Sequence, residues 1–149
     1  MAQRDGKNGV QVVLAGILTL SGTTTVATGW VDTRGFDKVT FAAVNNAVTD
    51  AGAAAGFSFN VEESDTTAAA DATTVADNEL IGLKSAMTVT SDAADNSIAG
   101  GIGYVGNARY VRLTATGTTA SAAVVNVIAM LSAASTAPPV FAGVAVAAT

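Results

Sequence analysis

Phe57-Ser58-Phe59-Asn60-Val61-Glu62 alternates apolar and polar residues without a break. Phe57, Phe59 and Val61 fall on one face, and Ser58, Asn60 and Glu62 on the other. A period of two is the mark of a half-buried strand. The segment from Arg109 to Thr116 reads the same way: Val111, Leu113 and Ala115 point inwards, while Tyr110, Arg112, Thr114 and Thr116 point outwards. Asn60, Glu62, Arg112 and Thr114 then share one solvent-side or partner-side surface.

Working outwards, Val10 to Leu20, Thr24 to Val31 and Lys38 to Asn45 are strand-like. Asp32-Thr33-Arg34-Gly35 is a turn in which the glycine supplies a positive φ. Asn46 to Gly56 reads as a loop or wide hairpin. Further strands are expected near Met87 to Thr90 and Ile102 to Val105. Ala122 to Ser132 is apolar on both faces apart from Asn126, which predicts cover on both sides. The Ala-dense stretch Thr66 to Ala76 has a helical alternative, but its threonines and lack of a 3.6-residue period favour a loop. About eight short strands separated by turn signals predict an all-β sandwich or barrel.

The ends differ from this middle. Residues 1 to 9 carry Arg4, Asp5, Lys7 and two glycines and read as an N-terminal arm; residues 10 to 134 form the sandwich. Residues 135 to 149 form an extended apolar C-terminal arm, opened by Pro138-Pro139, which cannot join a central strand. Val140, Phe141, Val144 and Val146 follow with almost nothing polar between them. The eleven residues after Pro138 reach roughly 35 Å when stretched. Such a tail is costly to leave in water, so it docks either on its own sandwich or on a neighbouring subunit, the neighbour being the preferred reading. The residues expected to touch a partner are Arg4, Lys7, Arg112, Pro138, Pro139, Val140, Phe141, Val144 and Val146.

Composition narrows the chemistry. The 149 residues contain no His and no Cys, which removes the commonest general base, the commonest transition-metal ligand and any disulfide framework. Only 13% are charged, against about a quarter in typical domains, and the net charge is −5. So thin a charged surface implies cover in use, although a neutral Ala, Thr, Ser and Gly surface is the competing reading. Seven scattered basic residues argue against nucleic acid. No apolar run approaches the 18 or so residues of a membrane helix, and the polar N-terminus carries no signal peptide, so no membrane and no export by that route are expected.

Local motifs add little chemistry. Gly101-Ile102-Gly103-Tyr104-Val105-Gly106 matches a dinucleotide fingerprint by letter, but a strand pattern follows where a helix N-terminus is needed. Eight of the twelve carboxylates lie between Glu62 and Asp95. Glu62, Glu63 and Asp65, or Asp77 and Glu79, could offer oxygen ligands to Ca²⁺, but the spacing matches no EF-hand. Solvated loop carboxylates, or partners for another subunit's basic residues, are the preferred reading. Trp30 and Phe36 flank the Val31 to Gly35 turn and read as packing. No catalytic, metal or cofactor site is expected, and the chain reads as no enzyme.

Three segments together carry a family likeness. They are Val31-Asp32-Thr33-Arg34-Gly35-Phe36-Asp37-Lys38-Val39-Thr40-Phe41; Phe59-Asn60-Val61-Glu62-Glu63-Ser64-Asp65 leading to Asp77-Asn78-Glu79-Leu80-Ile81-Gly82; and Gly103 to Leu113. Their order resembles the capsid decoration, or cement, proteins of tailed bacteriophages, over roughly residues 30 to 132. The resemblance implies an antiparallel jelly-roll β-sandwich on the outer capsid surface. It further implies partners in the major capsid protein and in copies of the chain itself, as a homodimer or homotrimer, made in the host cytoplasm. The Ala-rich loop at Ala68 to Ala76 and the tail after Pro138 depart from that pattern. A tail, neck or head-fibre component, or a glycan- or Ca²⁺-binding attachment module, are the alternatives.

Overall fold

The computed structural model describes residues 9–51, 56–118 and 121–134. Ten strands make two antiparallel sheets with their apolar faces together. They are β1 (Val10–Ser21), β2 (Thr25–Ala27), β3 (Val31–Asp32), β4 (Phe36–Asp50), β5 (Ser58–Ser64), β6 (Thr73–Thr74), β7 (Leu80–Ile81), β8 (Ile98–Tyr104), β9 (Tyr110–Thr116) and β10 (Ala122–Ala134). The first sheet runs β1-β10-β4-β8-β7 and the second β2-β9-β5-β6, with β3 also on β9.

This connectivity is a jelly roll. Take β2 and β3 as one interrupted strand and β7 as an edge addition, and eight strands remain. The first then pairs with the last, the second with the seventh, the third with the sixth and the fourth with the fifth. Two nested antiparallel pairings of that kind wrap into two facing sheets. The expected sandwich is therefore present, and the difference from about eight strands lies in two- and three-residue pieces too short to show a period.

The core follows the alternation read from sequence. Phe57, Phe59 and Val61, then Val111, Leu113 and Ala115, are all buried, and face Phe41, Ile102, Val125 and Val127 of the first sheet. Two segments depart from the sequence reading. Asn46 to Gly56 is not all loop, because β4 continues to Asp50 beyond a bulge that leaves Asn46 unpaired against β10. Asn45 supports that extension from the buried side, donating through Nδ2 to Ala94 O at 3.2 Å. Met87 to Thr90 is not a strand either. Lys84–Met87 is a 3₁₀ turn, and only Val89 forms a bridge, exchanging both backbone hydrogen bonds with Phe57 at 2.9 Å. The 66–76 stretch is largely irregular as expected, with one 3₁₀ turn at Ala69–Asp71 and the short β6.

The break between β2 and β3 is held by a side chain. Thr28 donates its N–H to Leu113 O at 2.9 Å, and its Oγ1 accepts the Leu113 N–H at 3.1 Å. A hydroxyl thus stands in for the ladder carbonyl that the break removes, so no buried backbone donor is orphaned. The Asp32 to Gly35 turn closes as read: Phe36 N–H donates to Thr33 O at 2.9 Å, with Gly35 at φ 88°.

Candidate interaction surface

Strand alternation gives each sheet an outer face, and the two faces differ. On the second sheet the outer side chains are polar and engaged with one another. Arg112 donates from Nε and Nη2 to Glu62 Oε2 at 2.8 and 2.7 Å, and its guanidinium stacks 4.3 Å from the Trp30 ring centre. Thr114, read from sequence as solvent-side, is buried at 3% exposure and donates to Asn60 O. Arg112 is thus turned inwards on its own chain, and its side chain keeps 15% exposure. The other expected partner residues, Arg4, Lys7, Pro138, Pro139, Val140, Phe141, Val144 and Val146, lie outside the described residues.

The first sheet is the opposite case. Its outer face is uncharged and largely apolar, Thr40 and Asn126 being the polar members of its central rows, and the register sets the side chains in rows. Val12 of β1 stands beside Met130 of β10, then Thr40 of β4, Gly103 of β8 and Ile81 of β7. The next row is Leu14, Ile128, Ala42 and Gly101, and the third Ile17, Asn126, Val44 and Ile98. Leu14, Ile17, Ile81 and Ile98 are each 60–75% exposed. Every large exposed hydrophobe among the described residues lies on this sheet or within two residues of its edge strand β7 or of β8. Lys38 stands at one end of the face and Asp50 at the other, with no charge in the rows between.

β1, β10 and β4 run side by side for about eleven residues and β8 and β7 add seven and two, which at about 4.8 Å between strands and about 3.3 Å per residue gives a footprint of about 670 Å². That approaches the roughly 800 Å² per partner of a standard protein interface. The relief matters as well. Ala42 and Gly101 leave the middle of the face low beside Ile128, while Ile81 of β7 leans over Gly103, 3.2 Å from where a Cβ there would stand. The cover expected on both faces of β10 is met on the inner side, where Val125, Val127, Ala129 and Leu131 are buried. On the outer side Val124, Ile128 and Met130 stay half exposed. Sequence reading found the apolar β10 but missed the face, because its other members are scattered over four strands and only the register assembles them.

A second cluster ties the two sheets at one end. Tyr104 of β8 is 2% exposed; its hydroxyl donates to Glu63 Oε2 at 2.5 Å and accepts the Ala108 N–H at 2.9 Å. Burial and the Glu63 hydrogen bond push the hydroxyl well above its ordinary pKa of about 10. Nearby, the Arg109 guanidinium donates to Asp32 at 3.0 Å and holds that carboxyl below its usual range. Because the folded state keeps Tyr104 protonated and the unfolded chain releases the proton near pH 10, stability is full below that pH and falls above it. Tyr104→Phe is expected to flatten this alkaline loss by up to about 1.4 kcal/mol per pH unit, read from urea melts between about pH 9 and 11. An unchanged slope overturns the assignment.

Chemistry-bearing groupings are few. Glu62 and Glu63 point to opposite faces and are held by Arg112 and Tyr104, and among the described residues no three acidic side chains gather as a metal cluster. The Gly101–Gly103 motif lies in β8, with β9 following rather than a helix. A polar cleft lined by Thr33, Asp37, Lys38, Tyr104 and Asn107 opens at the same end of the sandwich. No helix among the described residues is long and apolar enough to cross a membrane.

No protein-family model matches the chain, and no curated protein matches it in sequence. Among solved structures, the chain is similar in fold to the PBSX exported protein XepA, with a TM-score of 0.52 and 16% identity. The superposition takes in 85% of this chain and 38% of that one, so the shared sandwich is a part of the larger protein.

Proposed function

We propose that this chain is a structural virion protein of a tailed bacteriophage, binding the outer capsid surface and clamping neighbouring major capsid protein subunits. The observation that carries the reading is the uncharged, largely apolar outer face of the β1-β10-β4-β8-β7 sheet, whose footprint approaches that of a standard protein interface. A face of that kind is covered in use. The jelly-roll connectivity agrees with the fold that the resemblance to decoration proteins implies, and so does the sandwich shared with XepA. The role needs no catalytic group, cofactor, nucleic acid or membrane, and its partners are the major capsid protein and further copies of the chain.

The physics suits a clamp. A shell under pressure from packed genome gains from many modest contacts, since arms tethered to a docked domain bind at high effective concentration. Residues 1 to 9 and 135 to 149 serve as those arms. Deleting residues 135 to 149 is expected to weaken binding to purified capsids by at least tenfold, about 1.4 kcal/mol, and to lower the capsid's thermal midpoint in their presence. Unchanged binding and unchanged capsid stability overturn the role of the tail. A protein of this kind is present in virions at copy numbers comparable with the major capsid protein, by gel densitometry. A few copies per particle would place it instead in the tail or neck.

A further inference from the structure

We infer that two copies of the chain join edge to edge along β1, residues 10–14 of one pairing antiparallel with the same residues of the other across a two-fold axis. The inference goes beyond the capsid reading, because it concerns the isolated protein and its test needs no capsid.

Each sheet of a sandwich ends in two strands whose outward N–H and C=O groups need a partner or a guard. Three of the four edges are guarded. On the β8 side of the first sheet stands the two-residue β7, after which Gly82 at φ 110° turns the chain away. Met87, from the 3₁₀ turn that follows, packs on the rest of β8: a Cβ on Gly100 would stand 2.9 Å from its Cγ. On the second sheet, β5 is covered by β6, by the Val75 N–H on Val61 O and by the Val89 bridge to Phe57. At that sheet's other side β2 and β3 have three and two residues, and Asp32 of β3 is paired with Arg109.

β1 is the fourth edge, and only part of it is guarded. At Ala15 the strand bulges against β10, and Gly29 donates to Ala15 O at 3.1 Å. β2 then returns beside the half of β1 that follows the bulge. Residues 10–14 pair with β10 alone, and among the described residues no backbone hydrogen bond reaches their other side. Val10-Gln11-Val12-Val13-Leu14 holds no charge, no proline and no bulge, the features by which an edge refuses another strand. Its three valines favour strand pairing.

A second copy is the occupant that this edge fits. Antiparallel pairing of the five residues with themselves sets Val12 opposite Val12 and Val10 opposite Leu14 on the outer face, with Gln11 opposite Val13 beneath. No like charges meet, and Val12 and Leu14, 50% and 60% exposed, gain apolar neighbours. The two-fold axis uses the free segment of both copies at once. With the other edges guarded, assembly closes at a dimer instead of running on as a fibre. The axis stands perpendicular to the sheet, so the two apolar faces look the same way and join as one surface of about 1,300 Å². Five paired residues a side make less than the roughly 800 Å² per partner of a standard interface, so the dimer is weak in dilute solution.

The absence of cysteine makes the test direct. Val12→Cys places two thiols across the axis, and Ile98→Cys, exposed on the same face at its far side, is the control. The purified full-length variants are oxidised with diamide at equal concentration, and Val12→Cys is expected to form its disulfide dimer at least about tenfold faster. In the parent, hydrogen exchange at residues 10–14 is expected to slow by about tenfold between micromolar and millimolar protein, and Val12→Lys, which sets two ammonium groups opposite each other, abolishes the slowing. Equal cross-linking at the two positions overturns the proposal in favour of packing between faces. So does exchange at residues 10–14 that is independent of concentration. A dimer that appears only once residues 1–8 are removed overturns it as well, since the chain's own N-terminal residues then occupy this edge. Capsid binding is scored separately, so failure of the clamp reading and failure of edge pairing are told apart.

Discussion

Replacing Phe41 by alanine lowers the free energy of unfolding by about 3–5 kcal/mol, read as a shift in urea midpoint at constant slope. Phe41 is 0% exposed at the centre of β4, beside Ala129 of β10 and Ile102 of β8. Ala129 on one side and Ala43 two residues on, both buried, are too small to fill the space, and Ile102 on the other side is already held in its own strand. The cavity persists, and the cost stays in the upper part of the range. Leu14→Ser on the opposite face of the same sheet is the informative contrast. Leu14 is 60% exposed, so its loss changes stability by no more than about 0.5 kcal/mol while removing apolar surface from the candidate docking face. A Phe41→Ala variant that unfolds within 1 kcal/mol or so of the parent would mean that the two sheets do not share one close-packed core.

The fold was legible wherever one face of a strand is wet and the other dry. Phe57 to Glu62 and Val111 to Thr116 alternate because each belongs to a sheet with polar cover outside, and both strands lie where the period put them. β4 beyond Asn45 was not legible. Its bulge at Asn46 shifts the alternation by one residue, and a period of two cannot be followed across an inserted residue. β3, β6 and β7 have two residues each, fewer than one full period. Met87 and Val89 are both buried and mimic a strand, but they are a turn and a single bridge against Phe57.

The candidate site was legible in kind and not in place. An apolar β10 and a thin complement of charge announced a covered surface. Yet Val12, Leu14, Ile17, Ile81 and Ile98 are ordinary strand residues until pairing sets them side by side. Long-range register, which no local pattern contains, is what makes them a face. Arg112 shows the converse. Its outward position was read correctly from the alternation, but position alone does not reveal that Trp30, from the interruption between β2 and β3, closes over it.

That closure gives Arg112→Ala the second large effect. The guanidinium lies between Glu62 and the Trp30 ring, and the side chains of Arg112 and Glu62 keep 15% and 21% exposure. A fully exposed pair would contribute up to about 1 kcal/mol, and breaking a fully buried one costs about 3–5. This pair falls between, and the lost stacking adds to it, so the isolated protein loses about 2–3 kcal/mol. Arg112→Lys recovers only part, because an ammonium keeps the charge but not the planar stack or the two-nitrogen grip on Glu62 Oε2. A double-mutant cycle with Glu62→Gln then shows a coupling of about 1 kcal/mol. A residue that serves mainly to hold a partner behaves in the opposite way: its alanine variant melts like the parent and fails only in binding. Parent-like melting of Arg112→Ala would return the outer face of the second sheet to the candidate partner surfaces. A loss of 2 kcal/mol or so assigns Arg112 to holding its own sheet together and leaves the apolar face of the first sheet as the candidate partner surface.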